Sequence, residues 1–75
     1  MNEFLRYSKI VGEKYNLFEC VRITNLRQVH FYLENGATLL DVYSGWGKNK
    51  KPTLVFLFYK NDTKELYEKW SKQNG

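Results

Sequence analysis

Seventy-five residues, 43% hydrophobic, 17% aromatic and 27% charged, describe one small folded domain and exclude a disordered chain. Twelve Lys and Arg against eight Asp and Glu leave a net charge of +4, which favours acidic partners such as nucleic acid but does not bear on fold. A single cysteine, Cys20, excludes an intramolecular disulfide, and with one histidine it cannot form a zinc cluster, so no cofactor is expected.

The first sixteen residues are ambiguous. Phe4, Tyr7, Val11 and Tyr15 fit helical spacing although Gly12 interrupts them. They predict a helix or a dimer arm over 1–16, ahead of a single α+β domain over 17–75. Leu17 to Thr24 reads as a strand, with Leu17, Val21 and Ile23 on one face and Phe18, Cys20 and Arg22 on the other. A helix follows from about Asn25 to Asn35. Leu26, Val29 and Leu33 make its apolar stripe, widened by Tyr32, and Arg27, Gln28, His30 and Glu34 lie mostly outside. Thr24 or Asn25 can cap its start, and Gly36 stands where a left-handed C-cap needs no Cβ.

Leu39–Tyr43 and Thr53–Lys60 read as the strands of an antiparallel hairpin, with 44–52 as a long basic tip. Leu54, Phe56 and Phe58 point to one face and Val55, Leu57 and Tyr59 to the other, the pattern of a central strand covered on both sides. A second helix is predicted from Asp62 to Gln73, with Asp62 as cap, Glu65 completing a capping box, and Leu66, Tyr67 and Trp70 on one side. The expected fold is α+β: a small antiparallel sheet of about three strands packed against two helices, in the order (α)βαββα. Two helices can cover only one face of that sheet. The other must be shielded by the N-terminal segment, by a second copy of the chain, or by a ligand.

The longest apolar run, 54–59, is far shorter than the roughly 20 residues of a membrane helix, and the chain opens without the pattern of a signal peptide. A reduced, cytoplasmic setting is expected, with no membrane partner.

The runs VRITNLRQVHFYLENGATLLDVY and LVFLFYKNDTKELYEKW together resemble a small uncharacterised domain family of bacteria and their phages. The residues that carry the resemblance are Leu26, Tyr32, Gly36, Leu40, Asp41, Val55, Phe56, Phe58, Leu66 and Trp70. It implies a helix ending in glycine, a two-stranded hairpin and a closing helix; the family has no established activity, so it carries over nothing catalytic. It also implies a context, because short phage genes often encode proteins that bind and disable a host factor, defence machinery included. The richness in Asn, Lys and Tyr fits AT-rich codons, as in a low-GC bacterium or its phage.

Gly45-Trp46-Gly47-Lys48-Asn49-Lys50-Lys51 is the segment richest in binding chemistry. Glycines let a backbone approach a phosphate, lysines neutralise it, and an exposed tryptophan stacks on a base. The segment lacks the Gly-Lys-Ser/Thr ending of a phosphate-binding loop, and it also suits a tip kept soluble by lysines with Trp46 folded back on the sheet. Val21 to Leu26 looks like the first motif of an RNA-recognition domain and Phe56 to Tyr59 like the second, without the stacking aromatic at Arg22 or the Arg-Gly-Phe opening. His30 and Cys20 have no motif partner for catalysis, and Asp41 and Asp62 are not a carboxylate pair, so an enzyme is not expected.

The reading is a small non-enzymatic binding protein that inhibits or modulates a host protein such as a defence component. The candidate binding residues are Trp46, Lys48, Lys50, Lys51, Arg22, Arg27 and His30. One alternative is a nucleic-acid-binding accessory protein using Lys48, Lys50, Lys51, Arg22 and Arg27 with Trp46 stacking. Another is a homo-oligomer that binds a small ligand where copies meet.

Overall fold

The computed structural model describes residues 4–47 and 49–74, and its fold is α+β. The N-terminal segment is not a helix. It is a hairpin of β1 (Leu5–Ser8) and β2 (Glu13–Asn16), paired antiparallel from Leu5↔Asn16 to Ser8↔Glu13. Gly12 decides the difference: it sits at φ +75°, a left-handed conformation that breaks a helix and closes a turn, and it donates its N–H to the Ser8 carbonyl at 2.8 Å. The strand expected from Leu17 starts three residues later for a similar local reason. The Asn16 side chain accepts the Phe18 N–H at 2.9 Å and starts a 3-10 turn over Leu17–Glu19, after which β3 covers Cys20–Ile23.

Strand β4 (Leu39–Trp46) and β5 (Pro52–Tyr59) form the expected hairpin, and the sheet order β3-β5-β4 places the doubly apolar β5 in the centre. The hairpin is longer than predicted. Ladder pairs continue to Gly45↔Thr53 and Trp46↔Pro52, which confines the tip to residues 47–51. A bulge between Leu39 and Asp41 leaves Leu40 without a cross-strand partner.

Helix α1 (Leu26–Glu34) is capped by Asn25, whose Oδ1 accepts the N–H groups of Arg27 and Gln28 at 3.0 and 3.3 Å. Its C-terminus closes as a Schellman motif: Ala37 donates to the Tyr32 carbonyl, and Gly36, at φ +88°, donates to that of Leu33. The buried side of α1 differs from the predicted stripe. Val29 and Tyr32 face the core with Phe31 beside them, whereas Leu26 is 67% exposed and Leu33 is exposed as well. The reason is geometric: Val29 and Tyr32, three apart, set the inward direction, and the bulky tyrosine occupies it. Helix α2 (Lys60–Asn74) follows β5 with no connecting residue. Asp62 therefore lies inside the first turn and does not cap it; its Oδ2 accepts the Thr38 N–H at 3.2 Å.

The helices cover one face of the sheet. Val29, Tyr32, Ala37, Phe58 and Leu66 are buried there, with Val21, Ile23, Leu39 and Phe56 packed around them. The Tyr32 and Phe58 rings meet edge to face at 5.4 Å, and Phe31 meets Trp70 of α2 at 5.9 Å. The second face is covered by the chain's own N-terminal hairpin: Tyr15 of β2 is buried with Cys20, Leu40 and Leu57, flanked by Leu17 and Tyr59. Ser8 ties the hairpin down, its buried Oγ donating to the Leu40 carbonyl at 2.5 Å and accepting the Val11 N–H at 3.1 Å. Each large side chain buried this way contributes about 1.5–3 kcal/mol, and Phe58 and Leu57 supply that to opposite faces from adjacent positions of one strand.

Candidate binding surfaces

The predicted binding residues fall in three places. Trp46 ends β4 and is 73% exposed, so it stands out from the sheet and is not folded back on it. Through the pairs Ser44↔Leu54 and Trp46↔Pro52 it shares a sheet face with the exposed Leu54. Lys50 and Lys51 are exposed in the turn beyond it, which Gly47 closes by donating to the Lys51 carbonyl at 2.9 Å. Lys48 lies outside the described residues. Arg22 sits on β3 opposite Leu57, five positions along β5 from Pro52, or roughly 17 Å at the rise of an antiparallel strand. Arg27 and His30 are exposed on α1, with His30 Nε2 at 2.8 Å from Glu34 Oε1. The fold thus gathers Trp46, Lys50 and Lys51 at the tip and holds Arg22 away from them.

Arg22 lines instead a groove of about 930 Å³ between β3 and the two helices. Val21 and Ile23 of β3 supply apolar floor, and Tyr32 and Gln28 of α1 close one end, joined by a 2.8 Å hydrogen bond from Gln28 Nε2 to the Tyr32 hydroxyl. Helix α2 forms the wall with Lys60, Lys64, Tyr67 and Glu68. Tyr67 is 57% exposed, an aromatic face open to a partner. Lys60 and Lys64 stand against the single carboxylate of Glu68, and Arg22 of the edge strand adds its charge from the other face of the sheet, so the surroundings of the groove are net positive. The sequence does place Leu66, Tyr67 and Trp70 on one helix side. It does not show that Leu66 is buried while Tyr67 faces a groove, because that depends on where α2 crosses the sheet.

A smaller cleft of about 360 Å³ lies under the N-terminal hairpin, lined by Arg6, Tyr15, Leu17, Asp41, Tyr43 and Leu57. The Tyr15 hydroxyl donates to Asp41 Oδ2 at 3.2 Å. Burial first, then the Asp41 charge and the hydrogen bond to it, push the Tyr15 pKa up to about 12. Burial and the charge of Glu19 also push the Cys20 thiol up, away from a reactive thiolate. Both groups are therefore protonated near neutral pH and act as structural donors. The outer side of the same hairpin exposes Leu5 and Tyr7, and the Phe4 and Phe18 rings pack at a 43° tilt with centroids 4.1 Å apart.

Among the described residues no group of three His, Cys, Asp or Glu side chains could hold a metal ion, and no helix is long and apolar enough to cross a membrane. Comparison with family models, with curated proteins and with solved structures returned no match to this chain.

Proposed function

We propose that this chain is a non-enzymatic binding protein whose partner, another protein, seats in the groove beside β3. The observation that carries the reading is the groove itself: an apolar floor, a protruding aromatic in Tyr67, and a basic rim, on rigid elements of the fold. Aromatic and arginine side chains of this kind dominate interface energetics. Occupying a partner's surface in this way is also how such a chain would inhibit a host protein. The test is affinity capture from host lysate, with nuclease, comparing the wild-type chain with Tyr67→Ala, Lys64→Glu and the tip variant Lys50→Glu/Lys51→Glu. Nuclease-resistant capture that is lost in the groove variants and retained in the tip variant is the expected result. Capture that survives both groove variants overturns it.

A second reading has its own observation. Trp46 stands exposed beside Lys50 and Lys51, the arrangement that stacks on a base and neutralises phosphates. Nucleic-acid binding there would weaken steeply with salt and disappear in the tip variant.

A further inference from the structure

The fold treats the two edges of the main sheet differently. At the β4 edge the bulge at Leu40 breaks the ladder, the Ser8 hydroxyl occupies the Leu40 carbonyl, and the Asp41 carboxylate accepts the Val42 N–H at 2.8 Å. Those are the devices that blunt an edge against pairing with another chain. The β3 edge has no bulge: its register with β5 runs unbroken from Cys20↔Tyr59 to Ile23↔Phe56, and among the described residues no strand pairs with its outer side. Cys20 gives its N–H to the Leu17 carbonyl, which makes Cys20↔Tyr59 a pair without mutual hydrogen bonds, and by the alternation of an antiparallel ladder the N–H and C=O of Arg22 then face away from β5. That free edge is the floor of the basic groove.

Building on the groove as the partner's seat, a reading on which strand addition depends, we propose that the partner contributes an extended segment that adds as a fourth strand beside β3, with apolar and acidic side chains in alternation. Main-chain hydrogen bonds to the edge would supply affinity and the alternating side chains specificity. The alternation is set by the register. Val21 and Ile23 face the helices, so side chains of the added strand level with them meet Tyr67 and Tyr32 and are apolar. Arg22 faces the opposite side of the sheet with Leu57, so the intervening side chains lie beside a guanidinium and are acidic. Lys60 and Lys64 stand on the helix side of the groove and act on the segment as a whole, through the net positive potential they add to that of Arg22.

The test uses the full chain and a blocked synthetic heptapeptide of alternating Val and Glu, with amide NMR and hydrogen exchange as readouts. At saturation the Arg22 amide should exchange at least about tenfold more slowly, because it gains a hydrogen-bond acceptor. The same peptide N-methylated at every second residue should bind about tenfold more weakly, having lost the donors of one edge. Arg22→Glu/Lys64→Glu, a change at two exposed positions, should weaken the unmodified peptide by a similar factor. Binding that leaves Arg22 exchange unchanged and tolerates N-methylation overturns strand addition while leaving a groove-binding protein. Absence of binding at millimolar peptide overturns the alternating acidic pattern, and the groove reading is then judged separately by the capture experiment.

Discussion

Replacing Ser8 by alanine tests whether the N-terminal hairpin is part of the folded core. Ser8 is fully buried, and its hydroxyl makes two hydrogen bonds, donating to the Leu40 carbonyl and accepting the Val11 N–H. The partners would respond differently to its loss. Val11 is exposed, so water can replace the hydroxyl at little cost. Leu40 is buried to 0% exposure and sits at the bulge without a cross-strand partner, so its carbonyl is left unpaired where water does not reach. An unsatisfied buried acceptor costs about 1–3 kcal/mol. A domain of this length has a total stability of roughly 4–11 kcal/mol at 0.05–0.15 kcal/mol per residue, so the loss is a large share of it. A cost near 2 kcal/mol lowers Tm by roughly 8–16 °C at the 4–8 °C per kcal/mol of small domains. Urea unfolding of Ser8→Ala should show a lower midpoint with an unchanged m-value. A loss under about 0.5 kcal/mol would refute the argument, because the Leu40 carbonyl would then have to be hydrated and the hairpin loosely held.

Other perturbations probe the same architecture. Tyr15 holds its proton more tightly folded than unfolded, so its stabilisation is complete below pH 10 and is lost as pH rises toward about 12; Tyr15→Phe should reduce the alkaline fall of unfolding free energy, leaving the contributions of Tyr59 and Cys20, whose pKa values are also raised by burial. Gly45→Ala would place a Cβ 2.7 Å from Val55 Cγ2, so it should destabilise by about 1–3 kcal/mol in chemical denaturation. Cys20 is buried with a raised pKa, so a disulfide reagent should label the native chain slowly and label it quickly once urea unfolds it.

Much of the main domain was legible from residues alone, because the relevant signals are local. Asn25 and Gly36 mark the ends of α1 through hydrogen bonds and a φ sign confined to a few residues. The doubly apolar run of β5 predicts a central strand with both faces covered, and the sheet order and the two cores on either side of it agree. The N-terminal segment misled because 3.6-residue spacing among Phe4, Tyr7, Val11 and Tyr15 coincides with positions of a hairpin, where Tyr7 and Tyr15 lie on opposite faces. The tip misled in extent: glycines at 45 and 47 read as loop, yet Gly45 is tolerated in β4 because Val55 fills the space a side chain would need.

The α+β composition, the central strand and the need for a cover over both sheet faces were thus written in the residues, through periodicity and apolar patterning that each segment carries for itself. Three-dimensional packing was required to show that the cover is Tyr15 and the hairpin carrying it, that Arg22 leaves the lysines of the tip, and that it joins Lys60, Lys64 and Tyr67 around an open strand edge. Those are relations between residues far apart in the chain, Arg22 and Lys64 for instance. Where α2 crosses the sheet, and which edge the bulge at Leu40 closes, is set by packing across the whole chain, and no local pattern encodes it.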